Sequence, residues 1–291
     1  MKEFKDKAAV ITGGAGGIGL GIARRCVREG MRVVIADIEE SALRQAEEEL
    51  KSMGGTVAAV LTDVAKADQV EALARYTVET YGAAHLLCNN AGVSADGAIW
   101  ECSLAAWEWA IGVNIWGVIN GIRAFVPVML SQGTECHIVN TASIAGLTPY
   151  HPGASYHVTK HAVVALSENL YRSLGERGSK IKTSVLCPGF VRTRILSAAR
   201  NQPADLPGRR KRTADAREAE EAAWDYLEKN NFKVLSPDQV SDLVFDAINE
   251  EKFYILTHPE FNETVKERME NILRGRNPSL VPLSFKKDVK G

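Results

Sequence analysis

Buried-looking apolar runs of four to six residues alternate with longer stretches in which apolar side chains recur every three or four positions, and this alternation repeats along most of the chain. A short continuous apolar run reads as a strand covered on both faces, and the three-to-four period reads as an amphipathic helix. On that basis Lys7 to Thr12 is a strand, a glycine-dense turn follows, Gly17 to Glu29 is a helix and Arg32 to Ala36 is a second strand. The pattern goes on with a helix near Ser41 to Met53, a strand Thr56 to Leu61, a helix Lys66 to Tyr81 and a strand His85 to Asn89. A long helix lies within Leu104 to Met129, then come a strand Cys136 to Thr141, a helix from Tyr156 to about Leu174 and a strand Lys182 to Leu186. Regular strand-helix alternation predicts an α/β fold with a doubly wound, mostly parallel sheet and helices on both faces.

The rhythm breaks at Ser197 to Lys233, which holds Pro203, Pro207, the basic run Arg209 to Arg212 and an acidic helical stretch, and we read it as a lid before the last helix-strand pair. Ser236-Pro237 supplies an N-cap and a first-turn proline for a helix to about Asn249, and Phe253 to Thr257 is the last strand. Residues 1–276 form one domain in this reading, and 277–291 form a tail without pattern.

The 291 residues suffice to bury a large core without staples, and the net charge of −1 argues against nucleic acid or an anionic membrane as the main partner. Cys26, Cys88, Cys102, Cys136 and Cys187 are odd in number and set in mostly apolar surroundings, which suits reduced thiols. The charged start Met1 to Lys7 has no apolar signal core, so a cytoplasmic location is expected. Ala110 to Leu130 is apolar enough to suggest a membrane span, but Asn114, Asn120, Arg123 and Pro127 favour a buried or interface helix.

Chemistry enters at two places. Thr12-Gly13-Gly14-Ala15-Gly16-Gly17-Ile18-Gly19 joins a strand to a helix, where backbone N–H groups can approach a pyrophosphate at the positive helix end. Spacing alone fits three glycine registers. Asp37 ends the second strand about twenty residues on, where a carboxylate accepts from a ribose diol and repels a 2′-phosphate. No cation at Gly16 or Ile38 offsets that charge, so NAD is favoured over NADP; the other reading of Asp37 is a turn-capping residue. Asp63-Val64 either meets the adenine edge or caps the next helix. Further on, Tyr156 and Lys160 lie one helical turn apart, a phenol beside a fixed cation that stabilises its phenolate. His157 and His161 share the spacing of a zinc pair, yet Val158 stands where a metalloprotease helix needs glutamate, so no metal is expected.

Taken together these residues resemble the classical short-chain dehydrogenase/reductase family over about residues 5–260. Its T-G-x-x-x-G-x-G pattern falls on Thr12, Gly13, Gly17 and Gly19 and so selects one register; its N-N-A-G motif is Asn89-Asn90-Ala91-Gly92. Asn114 is in the V-N position, Ser143 precedes Tyr156 by thirteen residues, and Pro188-Gly189, Val191 and Thr193 fit P-G-x-V-x-T. The resemblance implies a Rossmann-type fold and a catalytic set of Asn114, Ser143, Tyr156 and Lys160. It implies a dinucleotide held by Gly13, Gly17, Ile18, Gly19, Asp37, Asp63, Val64, Asn90, Ala91, Gly92, Tyr156, Lys160, Pro188, Gly189, Val191 and Thr193. The expected activity is interconversion of a secondary alcohol and a ketone with NAD, on a bulky apolar or aromatic substrate, by a homo-oligomer, dimer or tetramer. Trp100, Trp107, Tyr150, Phe190 and Leu196 are candidate walls for such a substrate. Two rivals are a catalytically silent dinucleotide sensor and an extended-type sugar-nucleotide epimerase or dehydratase; the intact tetrad speaks against the first, and Asn89 to Gly92 with the modest length against the second.

Overall fold

The apolar run Ala8–Thr12 is strand β1, buried along its whole length, as a strand covered on both faces must be. A computed structural model describes residues 1–94, 98–148, 153–203 and 216–278. Strands β2 (Arg32–Asp37), β3 (Thr56–Leu61), β4 (Leu86–Asn89), β5 (Cys136–Thr141), β6 (Ile181–Cys187) and β7 (Tyr254–Leu256) join β1 in one sheet of order β3-β2-β1-β4-β5-β6-β7. Every pairing is parallel. The order reverses between β1 and β4, and at such a switch point the carboxyl ends of the strands part to leave a crevice.

Helices α1 (Gly17–Arg28), α2 (Glu40–Ser52) and α3 (Ala67–Tyr81) connect the first half, and each packs its apolar stripe on the sheet. Helix α8 (Pro237–Glu250) starts as its sequence predicts: Ser236 Oγ accepts from Gln239 N at 3.2 Å, and Ser236 N donates to the Gln239 side chain at 2.8 Å. It lies against α1, where Val240, Val244, Phe245 and Ile248 join Ile22 and Cys26 in one apolar cluster. Helices α4 (Leu104–Ile111) and α5 (Gly117–Gln132) form the long apolar helix, with Val118, Phe125 and Met129 buried in the fold while Trp116 and Leu130 stay exposed.

Two elements differ from the sequence reading. Between α4 and α5 the backbone widens into a π turn, Gly112–Trp116, around Asn114. Beyond β7 a further helix, α9 (Asn262–Leu273), runs where no helix is expected. Val265, Met269 and Ile272 recur along it at helical spacing, yet none of its residues is buried. Helices α6 (Ala154–Glu176) and α7 (Ala216–Lys229) complete the set, with α7 supplying the acidic helix of the lid segment. The basic run Arg209 to Arg212, like Tyr150, lies outside the described residues.

Candidate active site

A cavity of about 620 Å³ opens at the carboxyl ends of the strands and runs from Asp37 and Ile38 past the glycine turn to Ser143, Tyr156 and Phe190. Its first wall is the glycine turn. Gly13 and Gly17 hold φ of 64° and 51°, the left-handed region that glycine enters without strain. A methyl group on Gly13 would lie 2.9 Å from the Ala91 Cα, and one on Gly19 only 2.1 Å from the Gly13 carbonyl oxygen. Gly19 therefore sits behind the cavity wall and lets α1 start close to the strand end; the start of α1 faces the cavity with Gly16, Gly17 and Ile18.

The turn is pinned to β4 by Thr12 and Asn90. Thr12 Oγ1 accepts from Asn90 N at 3.0 Å and from Ala91 N at 3.2 Å, and donates to the Cys88 carbonyl at 3.3 Å. The Asn90 amide returns the contact, donating to Thr12 O at 3.1 Å and Gly13 O at 3.4 Å, while its carbonyl accepts from Thr141 Oγ1 at 3.3 Å. The N-N-A-G segment thus ties three strand ends together beside the cavity.

Asp37 uses both carboxylate oxygens locally, accepting from Ala15 N at 3.1 Å and Glu39 N at 3.0 Å. Burial pushes its carboxyl above the usual value, against the pull of those N–H groups. It faces the cavity as well, so the turn-capping role and the ribose-facing position coexist. Asp63 Oδ1 caps its own turn by accepting from Ala65 N at 2.9 Å, and Asp63 and Val64 both line the cavity.

The opposite wall carries the polar groups expected to react. The α6 backbone sets Tyr156 and Lys160 one turn apart, with the Lys160 ammonium 5.5 Å from the centre of the Tyr156 ring. Lys160 is 3 % exposed, donates to the Thr141 carbonyl at 2.9 Å, and burial lowers its pKa to about 8. Ser143 caps the short 3₁₀ turn Ile144–Gly146, accepts from Ala145 N at 3.1 Å and donates to the Pro188 carbonyl at 3.3 Å, a long bond.

Asn114 does not line the cavity. Its Oδ1 accepts from Val93 N at 2.8 Å, and its amide donates to Val93 O at 2.9 Å and Thr159 Oγ1 at 3.0 Å. The Lys160 ammonium and Asn114 Oδ1 nevertheless meet at one point: a methyl group on Gly92 would lie 3.3 Å from the first and 3.4 Å from the second.

The third wall follows β6. Pro188, Gly189, Val191 and Thr193 all line the cavity, and Thr193 packs its methyl against Gly17, closing the turn from above. From here on the structure shows partners the sequence did not mark. Trp224 of α7 is 3 % exposed and donates to the Thr193 carbonyl at 3.2 Å. Arg192 pairs with Glu221, Asp225 and Glu228 on the same helix. Arg194, Arg200 and Asn201 reach back to Glu39, two residues past Asp37. Of the wall candidates, Phe190 and Leu196 line the cavity and are joined by Trp109, while Trp100 and Trp107 do not line it; Trp100 is 81 % exposed.

Residues 7–204 match the family model described as short chain dehydrogenase. The chain is 34% identical over 286 residues to the CLA biosynthesis dehydrogenase/reductase of Lactiplantibacillus plantarum, covering 96% of this chain and 98% of that protein. It is 31% identical over 277 residues to the 1-deoxy-11-beta-hydroxypentalenate dehydrogenase of Streptomyces exfoliatus, with 94% and 90% covered. Among solved structures, a short chain dehydrogenase/reductase from Burkholderia phymatum in complex with NAD superposes with a TM-score of 0.90 at 43% identity, covering 98% of this chain and 100% of that one.

Proposed function

The chain belongs to the short-chain dehydrogenase family, and from that premise we propose that this oxidoreductase interconverts a secondary alcohol and a ketone, with NAD as its dinucleotide. The observation that carries the reading is that Ser143, Tyr156 and Lys160 line the same cavity as the glycine turn. The residues fit a dinucleotide. Glycines without side chains stand at the head of α1, and Asp37, Asp63 and Thr193 line the same cavity as candidate partners for the dinucleotide's polar groups. Nicotinamide, when bound, accepts or gives the hydride.

The protein's part is the proton. Tyr156 takes the proton of the substrate hydroxyl as the C–H bond breaks, and returns it when a ketone is reduced. Lys160, cationic and buried, stabilises the phenolate that results. Ser143 turns from its long bond with the Pro188 carbonyl and donates to the substrate oxygen. Asn114 holds its carbonyl beside the Lys160 ammonium, the place for a water that passes the proton on towards solvent.

Phe190, Leu196 and Trp109 give the substrate end an apolar lining, which suits a bulky apolar or aromatic alcohol. A similar protein is named for a hydroxypentalenate, which is consistent with a hydroxyl-bearing carbon skeleton as substrate. We further propose that the exposed apolar side chains Trp116, Leu130 and Val158 on the helices bearing Asn114 and Tyr156 pack against a second copy of the chain. Incubation with NAD and a panel of secondary alcohols from small aliphatic to polycyclic, following reduced nicotinamide by absorbance, tests the reaction. Turnover that falls by roughly 10²- to 10⁴-fold in Tyr156→Phe supports the acid-base role. A variant as active as the parent removes it.

A further inference from the structure

The sequence places no cation at Gly16 or Ile38, yet the folded chain brings two arginines to that end of the cavity. The Arg194 guanidinium lies 3.4 Å from where a methyl group on Gly16 would sit. Arg200 lines the same cavity as Asp37 and Ile38. Both arrive from the segment after β6, and both are held by one carboxylate: Glu39 Oε1 is 2.8 Å from Arg200 Nη2, 3.0 Å from Arg200 Nε and 3.6 Å from Arg194 Nη2. The Asn201 amide adds a fourth contact to the same oxygen at 2.9 Å. Glu39 and Arg200 keep only 19% and 18% of their side chains exposed, so solvent screens this pair far less than a surface bridge. Burial alone would raise the Glu39 carboxyl; the Arg200 and Asn201 bonds and the two positive charges outweigh it and hold the group below its usual value, ionised at neutral pH.

An arginine at this end of a dinucleotide site is the group that accommodates a 2′-phosphate. Two arginines would serve it better than one, since a guanidinium binds a phosphate through paired hydrogen bonds. Here both already have an anion. We propose that Glu39 is a specificity-determining residue that masks Arg194 and Arg200 and so withholds from NADP a phosphate site that the segment after β6 already carries. The inference rests on the dinucleotide reading above and adds to it that Asp37 does not act alone. With Glu39 charged, two carboxylates and two guanidiniums cancel at the ribose end. Without it, one positive charge remains and two forks of donors are released.

The test measures binding and needs no substrate. NADH and NADPH are each titrated into the full chain and into Glu39→Gln, reading the nicotinamide fluorescence at low salt, with circular dichroism as the check on folding. The NADPH affinity is expected to rise about ten-fold relative to NADH in Glu39→Gln, and to fall back when Arg200→Met is added. Arg200→Met alone is expected to leave the ratio as in the parent. A ratio unchanged by Glu39→Gln overturns the proposal, as does an equal loss of both dinucleotides, which would make Glu39 a brace for the lid only. Glu39→Ala carries the same test should the glutamine variant fail to fold. If the parent binds neither dinucleotide, the cofactor reading itself falls; if it binds NADH and the ratio does not move, only the masking falls.

Discussion

Replacing Lys160 by methionine is expected to make the protein more stable at neutral pH while removing its activity. The ammonium is 3 % exposed and donates to the Thr141 carbonyl at 2.9 Å, and burial lowers its pKa from 10.5 to about 8. A lysine shifted in this direction binds its proton less tightly folded than unfolded. It therefore costs stability at every pH below the folded value, and the cost fades as pH rises from about 8 towards 10.5. At about 1.36 kcal/mol per unit the cost is roughly 3 kcal/mol near pH 7 and under about 1 kcal/mol near pH 10. Methionine removes that cost but leaves the Thr141 carbonyl without its donor, worth about 1 kcal/mol. The net expectation is a gain of about 2 kcal/mol near pH 7 that shrinks to about nothing near pH 10. Urea unfolding of the dinucleotide-free protein and of Lys160→Met, at one protein concentration and at both pH values, reads the difference directly. A variant less stable than the parent at neutral pH, or a difference that does not shrink with rising pH, refutes the reasoning. It would mean that the ammonium has partners that offset its burial.

Thr12→Val keeps the shape of a residue that is 3 % exposed but leaves the Asn90 and Ala91 N–H groups without their acceptor. The expected loss is roughly 2–4 kcal/mol in the same urea assay, with Thr12→Ser close to the parent; a valine variant within about 0.5 kcal/mol would show that the pinning of the glycine turn lies elsewhere. Assembly is checked by sedimentation: a dimer or tetramer is expected, and a lone species of 31.7 kDa would remove the proposed packing of Trp116, Leu130 and Val158 on a second copy.

The parts of this site that could be read from sequence share a physical property. Gly13, Asp37, Asn90, Ser143 and Pro188 each lie at or within two residues of the carboxyl end of a strand, and a parallel sheet delivers the residues at its carboxyl strand ends to one crevice whatever the rest of the chain does. Tyr156 and Lys160 were legible for a similar reason, because one helical turn fixes their relation. The pairing of Glu39 with Arg194 and Arg200, and the place of Trp224, have no such anchor. The Glu39–Arg200 pair spans 161 positions, and the Trp224 bond to Thr193 depends on how α7 settles on the loop after β6, which no periodicity records. The π turn at Asn114 was hidden differently, since widening one turn of a helix changes neither its composition nor its apolar stripe by much. This division has a functional consequence. In the proposed function Ser143, Tyr156 and Lys160 carry the proton chemistry, whereas Glu39, Arg194 and Arg200 join Asp37 in selecting the dinucleotide. On that reading a shift towards NADP starts at Glu39, and a full exchange of cofactor also requires removal of the Asp37 carboxylate, which repels a 2′-phosphate.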